Sequence, residues 1–206
     1  PVRSCEDVDE AALSYAEVKA LATGNPYIKE KMDLDIQVSK LKLMKANHTS
    51  QKYRLEDNIT QHYPHQIAIF KERIEGFTAD MEKYAKNKPE DKEQFFMQVG
   101  GKPYTDKKEA GTAIIAMCKE IKGINASADV GEYLGFKLNV TFDSFNNKFV
   151  MNVKGAMSHP MEVGTDPLGN ITRINNALEA MPAQLEEAQT KLSNVEHQLE
   201  TAKAEV

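Results

Sequence analysis

From Ile171 to the end of the chain, apolar residues fall at Ile171, Ile174, Leu178, Met181, Leu185, Ala188, Leu192, Val195, Leu199, Ala202 and Val206, in steps of three and four that strictly alternate. This 3.5-residue period is a coiled-coil seam, narrower than the apolar stripe of a globular helix. The residues between are mostly Glu, Gln, Lys, Asn, Ser and Thr, so the seam is the only adhesive surface. Such a helix would span roughly 54 Å and is not stable alone, so it requires a partner of similar length.

The same chain offers one. Gly24 closes a first helix expected over Ala11 to Thr23, and Asn25-Pro26 supplies a cap and a first-turn proline for a second. No glycine follows until Gly76, and Pro64 is the only proline before Pro89, which predicts a helix from Pro26 to about Lys86. Its second half carries Tyr63, Ile67, Phe70, Ile74, Phe77, Met81 and Tyr84, again in steps of four and three. A return connection between two such seams makes them antiparallel. The first half has two apolar sides, one through Leu34, Val38, Leu41 and Met44, the other through Ile28, Met32, Ile36 and Leu43, which implies two neighbours. Around Pro64 the steps Leu55, Ile59, Tyr63, Ile67 are all fours, a stutter, and with the donor that Pro64 removes it predicts a kink near Gln61 to Tyr63, with the helix resuming afterwards.

The intervening segment changes character. Phe95 to Val99, Gly100-Gly101 and Lys102 to Thr105 read as a hairpin. A helix capped by Thr105 is expected to Lys122, then a loop from Ile124 to Gly131. Phe136, Leu138, Val140 and Phe142 alternate with polar residues, a strand returned by Asn146-Asn147 into Lys148 to Lys154, with a last strand from Ala156 to Val163. The expected fold class is therefore α+β: a long antiparallel coiled-coil stalk with an inserted head, an antiparallel sheet with one helix on its apolar face. The expected divisions are residues 1–87 for the short helix and outgoing stalk, 88–168 for the head and 169–206 for the returning helix.

Composition fits an elongated shape, with 7% aromatic residues, no tryptophan and a mean hydropathy of −0.53. A net charge of −5 argues against a chain built to coat nucleic acid, although lysines gather at Lys29, Lys31, Lys40, Lys42, Lys45 and Lys52 with Arg54, and at Lys102, Lys107, Lys108, Lys119 and Lys122. Both clusters are read as solvated faces, with DNA contact as the alternative. Cys5 and Cys118 lie in no CxxC and are expected to be free thiols in a cytoplasmic protein with no membrane segment. Pro1 is not a start methionine and the terminal helix reaches Val206 in phase, so a longer parent chain is expected.

No catalytic, cofactor or metal site is assigned. There is no GxxxxGK[ST], no GxGxxG after a strand and no serine in GxSxG. Gly164 to Asn170 is read as a connection with Asp166 or Asn170 capping the next helix, rather than a phosphate loop. His62 and His65 have metal-ligand spacing but no completing ligands, while His48, His159 and His197 stand isolated. Asn25-Pro26-Tyr27 lacks one proline of the N-P-P-Y of adenine methyltransferases and is explained by capping.

The run from Leu13 through Lys19-Ala20-Leu21-Ala22-Thr23-Gly24-Asn25 to Pro26 resembles a segment of very large helicase proteins of bacterial conjugative elements and phages. These carry a Snf-type or DEAD/DEAH-type motor, often fused to an adenine-specific DNA methyltransferase. The resemblance continues at Ile28 to Met32, Leu41 to Asn47, Gln51 to Asp57, Gly164 to Asp166, Gly169 to Arg173 and Asn176 to Leu178. It implies a non-catalytic accessory module downstream of the motor, with the parent helicase polypeptide as partner, DNA as a further partner and no cofactor. A homodimer through the stalk and a stand-alone protein-interaction role are the alternatives.

Overall fold

The structure, a computed structural model, describes residues 15–205. It is an α+β protein, 63% helical, with a helix of 62 residues and a six-stranded antiparallel sheet. Contacts group it into two compact units: the described residues up to His62 with residues 199–205, and Tyr63–Gln198. This grouping follows contacts, whereas the divisions at residues 87 and 168 followed composition.

In the first unit, α1 (Tyr15–Ala22) is followed by α2 (Pro26–Asp57); the expected start of the first helix at Ala11 lies outside the described residues. Asn25 caps α2 as the sequence predicts, accepting from the Tyr27 amide at 3.1 Å. Lys31 joins the two helices through Glu17 at 2.7 Å. A π-helical turn, Asn58–His62, then lies next to the position expected to kink. Pro64 has no N–H to give the Thr60 carbonyl, and the wider turn absorbs both that lost bond and the run of four-residue steps. The 62-residue helix is completed by α3 (Tyr63–Asn87), which opens the second unit.

The rest of the second unit is β1 (Met97–Val99), β2 (Lys102–Tyr104), α4 (Lys107–Glu120), β3 (Ser127–Tyr133), β4 (Phe136–Asp143), β5 (Lys148–Lys154), β6 (Ser158–Val163), α5 (Pro167–Glu179) and α6 (Met181–Glu205), the last running on into the first unit. The strands lie in the order β2-β1-β3-β4-β5-β6. Gly100 and Gly101 make the predicted two-residue hairpin, with φ of 60° and 78°.

Four expectations are corrected. The loop expected from Ile124 to Gly131 contains β3, a full strand between β1 and β4. A register shift between Asp129 and Gly131 puts Val130 and Tyr133, three residues apart, in the same core, which hides the two-residue period. The helix cap before α4 is Asp106, which accepts from the Glu109 amide at 2.9 Å, in place of Thr105. The last strand starts at Ser158, because residues 155–157 form the turn before it.

The fourth correction concerns the terminal helix, which is two helices broken at Ala180, with Pro182 in the first turn of α6. The first residues of its seam, Ile171, Ile174, Leu178 and Met181, belong to the core under the sheet, so two helices cover that face rather than one. Ala110, Ile114 and Cys118 of α4 meet them there, with Met97, Leu138, Val140, Met151 and Val153 of the sheet. The later seam residues of the second unit, Leu185, Ala188, Leu192 and Val195, are buried or half-buried, as is every one of Tyr63, Ile67, Phe70, Ile74, Phe77, Met81 and Tyr84. No helix among the described residues is long and apolar enough to cross a membrane.

Candidate functional site

Helix α3 carries a second stripe that apolar periodicity does not reveal: Gly76, Asp80, Lys83 and Asn87, in steps of four, three and four. Each meets a turn of the sheet. Gly76 faces Met157, and a Cβ placed on it would come within 2.5 Å of the Met157 thioether. Asn87 donates to the Leu134 carbonyl at 3.1 Å, and Lys83 donates to the Gly135 carbonyl at 3.3 Å while lying over the Phe136 ring.

The centre of this stripe is Asp80, which is 1% exposed. One carboxylate oxygen accepts from the Ala156 amide at 2.7 Å; the other accepts from the Met157 amide at 2.9 Å and meets His159 Nε2 at 2.7 Å. A buried charge is tolerated only when its lone pairs are used, and here three groups use them, two amides of the β5–β6 turn and a ring nitrogen at the start of β6. Gly155 allows the approach, since a Cβ there would collide with the carboxylate and the Phe136 ring. His159, isolated in the sequence, is 2% exposed, lies between the rings of Phe77 and Phe136, and leaves Nδ1 without a hydrogen-bond partner. Its imidazole is locked and out of reach of solvent, which makes this a mechanical junction.

The second feature is a cleft of about 700 Å³ beside β1 and β3, with Pro89, Phe95, Phe96 and Tyr133 as its apolar wall and Glu93 and Glu132 at its edge. Phe95 and Tyr133 pack 5.7 Å apart, and the Tyr133 hydroxyl donates to Asn175 at 2.7 Å. Burial holds the Tyr133 phenol up at about 12, with the neighbouring Tyr84 adding to the effect. A smaller cleft that shares Phe95 and Tyr133 with it is lined by Lys88, Lys92 and Lys107 with Glu179. The Glu179 charge helps to raise the Tyr84 phenol, after burial, which is the larger cause.

The residues singled out in sequence do not converge. His62 and His65 are exposed, and no group of three or more His, Cys, Asp or Glu among the described residues could hold a metal ion. Asn170 fills the Gly164 loop itself, accepting from the Gly164 amide at 2.7 Å and donating to its carbonyl at 3.0 Å. Asp166 is the N-cap residue of α5 but makes no side-chain cap bond. Cys118 is buried in the core, where burial pushes its thiol up to about 11, far from a reactive thiolate. The lysines on α2 and on α4 and its flanks are exposed; Lys31 and Lys52 are engaged by acidic neighbours on their own or the adjacent helix. Comparison with family models, characterised proteins and solved structures finds no match for the chain.

Proposed function

We propose that the chain is a non-catalytic accessory module, an antiparallel two-helix coiled-coil arm that carries a small α+β lobe and sets its position for a partner. The observation that carries this reading is the pairing of α3 with the helices that return beside it. Tyr84 near the end of α3 lies by Glu179 at the end of α5, whereas Arg73, eleven residues earlier, acts on Glu187 further along the chain in α6. Arg73 and Phe77 share a small cleft with Gln184, Glu187, Ala188 and Lys191. In the first unit, His48, Lys52 and Leu55 share another with Glu205. Packed seams of this kind transmit orientation along their length. The side chains with chemical potential, Asp80, His159, Cys118 and Asn170, are all occupied in holding the fold together.

The resemblance to mobile-element helicases supplies the proposed setting, a DNA-processing protein whose motor lies elsewhere. Two measurements test it. Helicase motifs in the reading frame upstream of the Pro1 codon support the setting, and an upstream frame without them removes it. A gel-shift series of the chain on duplex DNA tests direct contact: affinity that falls steeply with salt and weakens on Lys40→Glu/Lys42→Glu/Lys45→Glu supports it, and no binding at low salt removes it.

A second reading, an interaction module with no DNA role, is favoured by α2, where Leu34, Val38, Leu41, Leu43 and Met44 are all exposed, the last 65% so. An apolar row left bare on a helix is the mark of a protein-docking face.

A further inference from the structure

Phe96 is 56% exposed between two buried neighbours, Phe95 and Met97. An aromatic ring kept in water at the threshold of a strand forgoes the burial that most phenylalanines gain. It stands in the wall of the larger cleft, with Phe95 and Tyr133 behind it. Glu93 and Glu132 add two exposed carboxylates, and among the described residues neither is in an ion pair and no lysine or arginine lines the cleft. Lys137, the cross-strand partner of Glu132, lies outside this lining, so the lining itself carries negative charge beside a ring whose face attracts cations.

We propose that this cleft binds the cationic side chain of a peptide segment, arginine in preference to lysine. The guanidinium plane stacks on Phe96, and its forked donors reach Glu93 or Glu132. The aliphatic part of the side chain lies along Pro89 and Tyr133. A polyanion is expected instead at the neighbouring cleft lined by Lys88, Lys92 and Lys107. The proposal rests on the reading of the lobe as the surface that the arm presents, and it names the chemistry of what that surface meets. The DNA and reading-frame tests do not involve Phe96, so the two readings fail separately.

The test is an amide-resonance titration of the full chain with capped tetra-arginine at low salt, with tetra-glutamate, spermidine and oligo(dT) as further probes. Saturable shifts at Glu93, Phe96 and Glu132 are expected with tetra-arginine, weaker ones with spermidine, and none there with tetra-glutamate or oligo(dT). Phe96→Ala, and separately Glu93→Gln/Glu132→Gln, should weaken tetra-arginine binding about tenfold or more, on the scale of one lost cation–aromatic or charge-assisted contact. Melting temperatures should stay unchanged, because these three side chains are exposed. Absence of saturable binding, affinity unaltered by Phe96→Ala, or oligo(dT) shifting the same residues would overturn the proposal; spermidine binding as tightly as the peptide would overturn its peptide character.

Discussion

Replacing Asp80 by alanine removes one carboxylate and strands three donors: the amides of Ala156 and Met157 and Nε2 of His159. A buried donor left unpaired costs about 1–3 kcal/mol. The donors lie within four residues of one another and relax together, so the three costs do not add in full, and about 3–5 kcal/mol is the expected loss. For a chain of this length that lowers the melting temperature by roughly 6–20 °C. Urea denaturation followed by circular dichroism measures the loss. Thiol labelling of buried Cys118 in a Cys5→Ser background reports opening of the sheet core specifically. Asp80→Asn should be almost as damaging, since its amide group would point a donor at donors. As a control, Lys148→Ala breaks the exposed 3.4 Å pair with Glu162 and should cost under about 1 kcal/mol. A loss below about 1 kcal/mol for Asp80→Ala, with Cys118 labelling unchanged, would refute the claim that this carboxylate fastens the hairpin to the helix.

Three further outcomes are expected. Gly155→Ala forces a methyl group into Asp80 and Phe136 and should destabilise by about 1–3 kcal/mol, whereas Gly76→Ala should cost less, because the Met157 side chain it meets can swing aside; chemical denaturation ranks the two. Stability should fall as pH rises from about 9 to about 12: the folded state holds the Cys118 and Tyr133 protons up to about 11 and about 12, above their ordinary 9.0 and 10.0, so over that window the unfolded chain binds fewer protons than the folded one. Cys118→Ala and Tyr133→Phe should each flatten part of that decline in melts taken across the range. Ile174→Ala, in the core, should cost about 2–5 kcal/mol, while Leu41→Ala, 63% exposed on α2, should leave the melt unmoved.

The long helix, its cap at Asn25, its interruption before Pro64 and the Gly100-Gly101 hairpin were legible because each depends on residues adjacent in sequence. Strands β4 and β5 were legible from alternation alone. Strand β3 was not, since its bulge replaces a two-residue spacing of inward side chains by a three-residue one, and Gly131 reads as a loop residue although the Gln98 carbonyl presses where its Cβ would be. The seam from Ile171 to Ala202 was read correctly as covered and wrongly as one surface, and its last residue, Val206, lies outside the described residues: periodicity marks which side of a helix is covered, not what covers it. Asp80 was invisible for a related reason. A carboxylate beside an apolar stripe looks like a solvated flank, and its donors lie 76 to 79 residues away.

The two stripes of α3 together account for how the lobe is held. The seam through Phe77, Met81 and Tyr84 packs against the core. This apolar contact is non-directional and would tolerate a slip along or around the helix axis. The stripe of Gly76, Asp80, Lys83 and Asn87 removes that freedom by engaging two separate turns, residues 155–159 through Asp80 and residues 134–135 through Lys83 and Asn87. Sliding by one helical turn would strand the buried carboxylate and both hairpin amides at once, and rotation would drive the helix backbone against Met157 where Gly76 now leaves room. Apolar burial supplies the bulk of the adhesion and the polar stripe selects a single arrangement of lobe on helix.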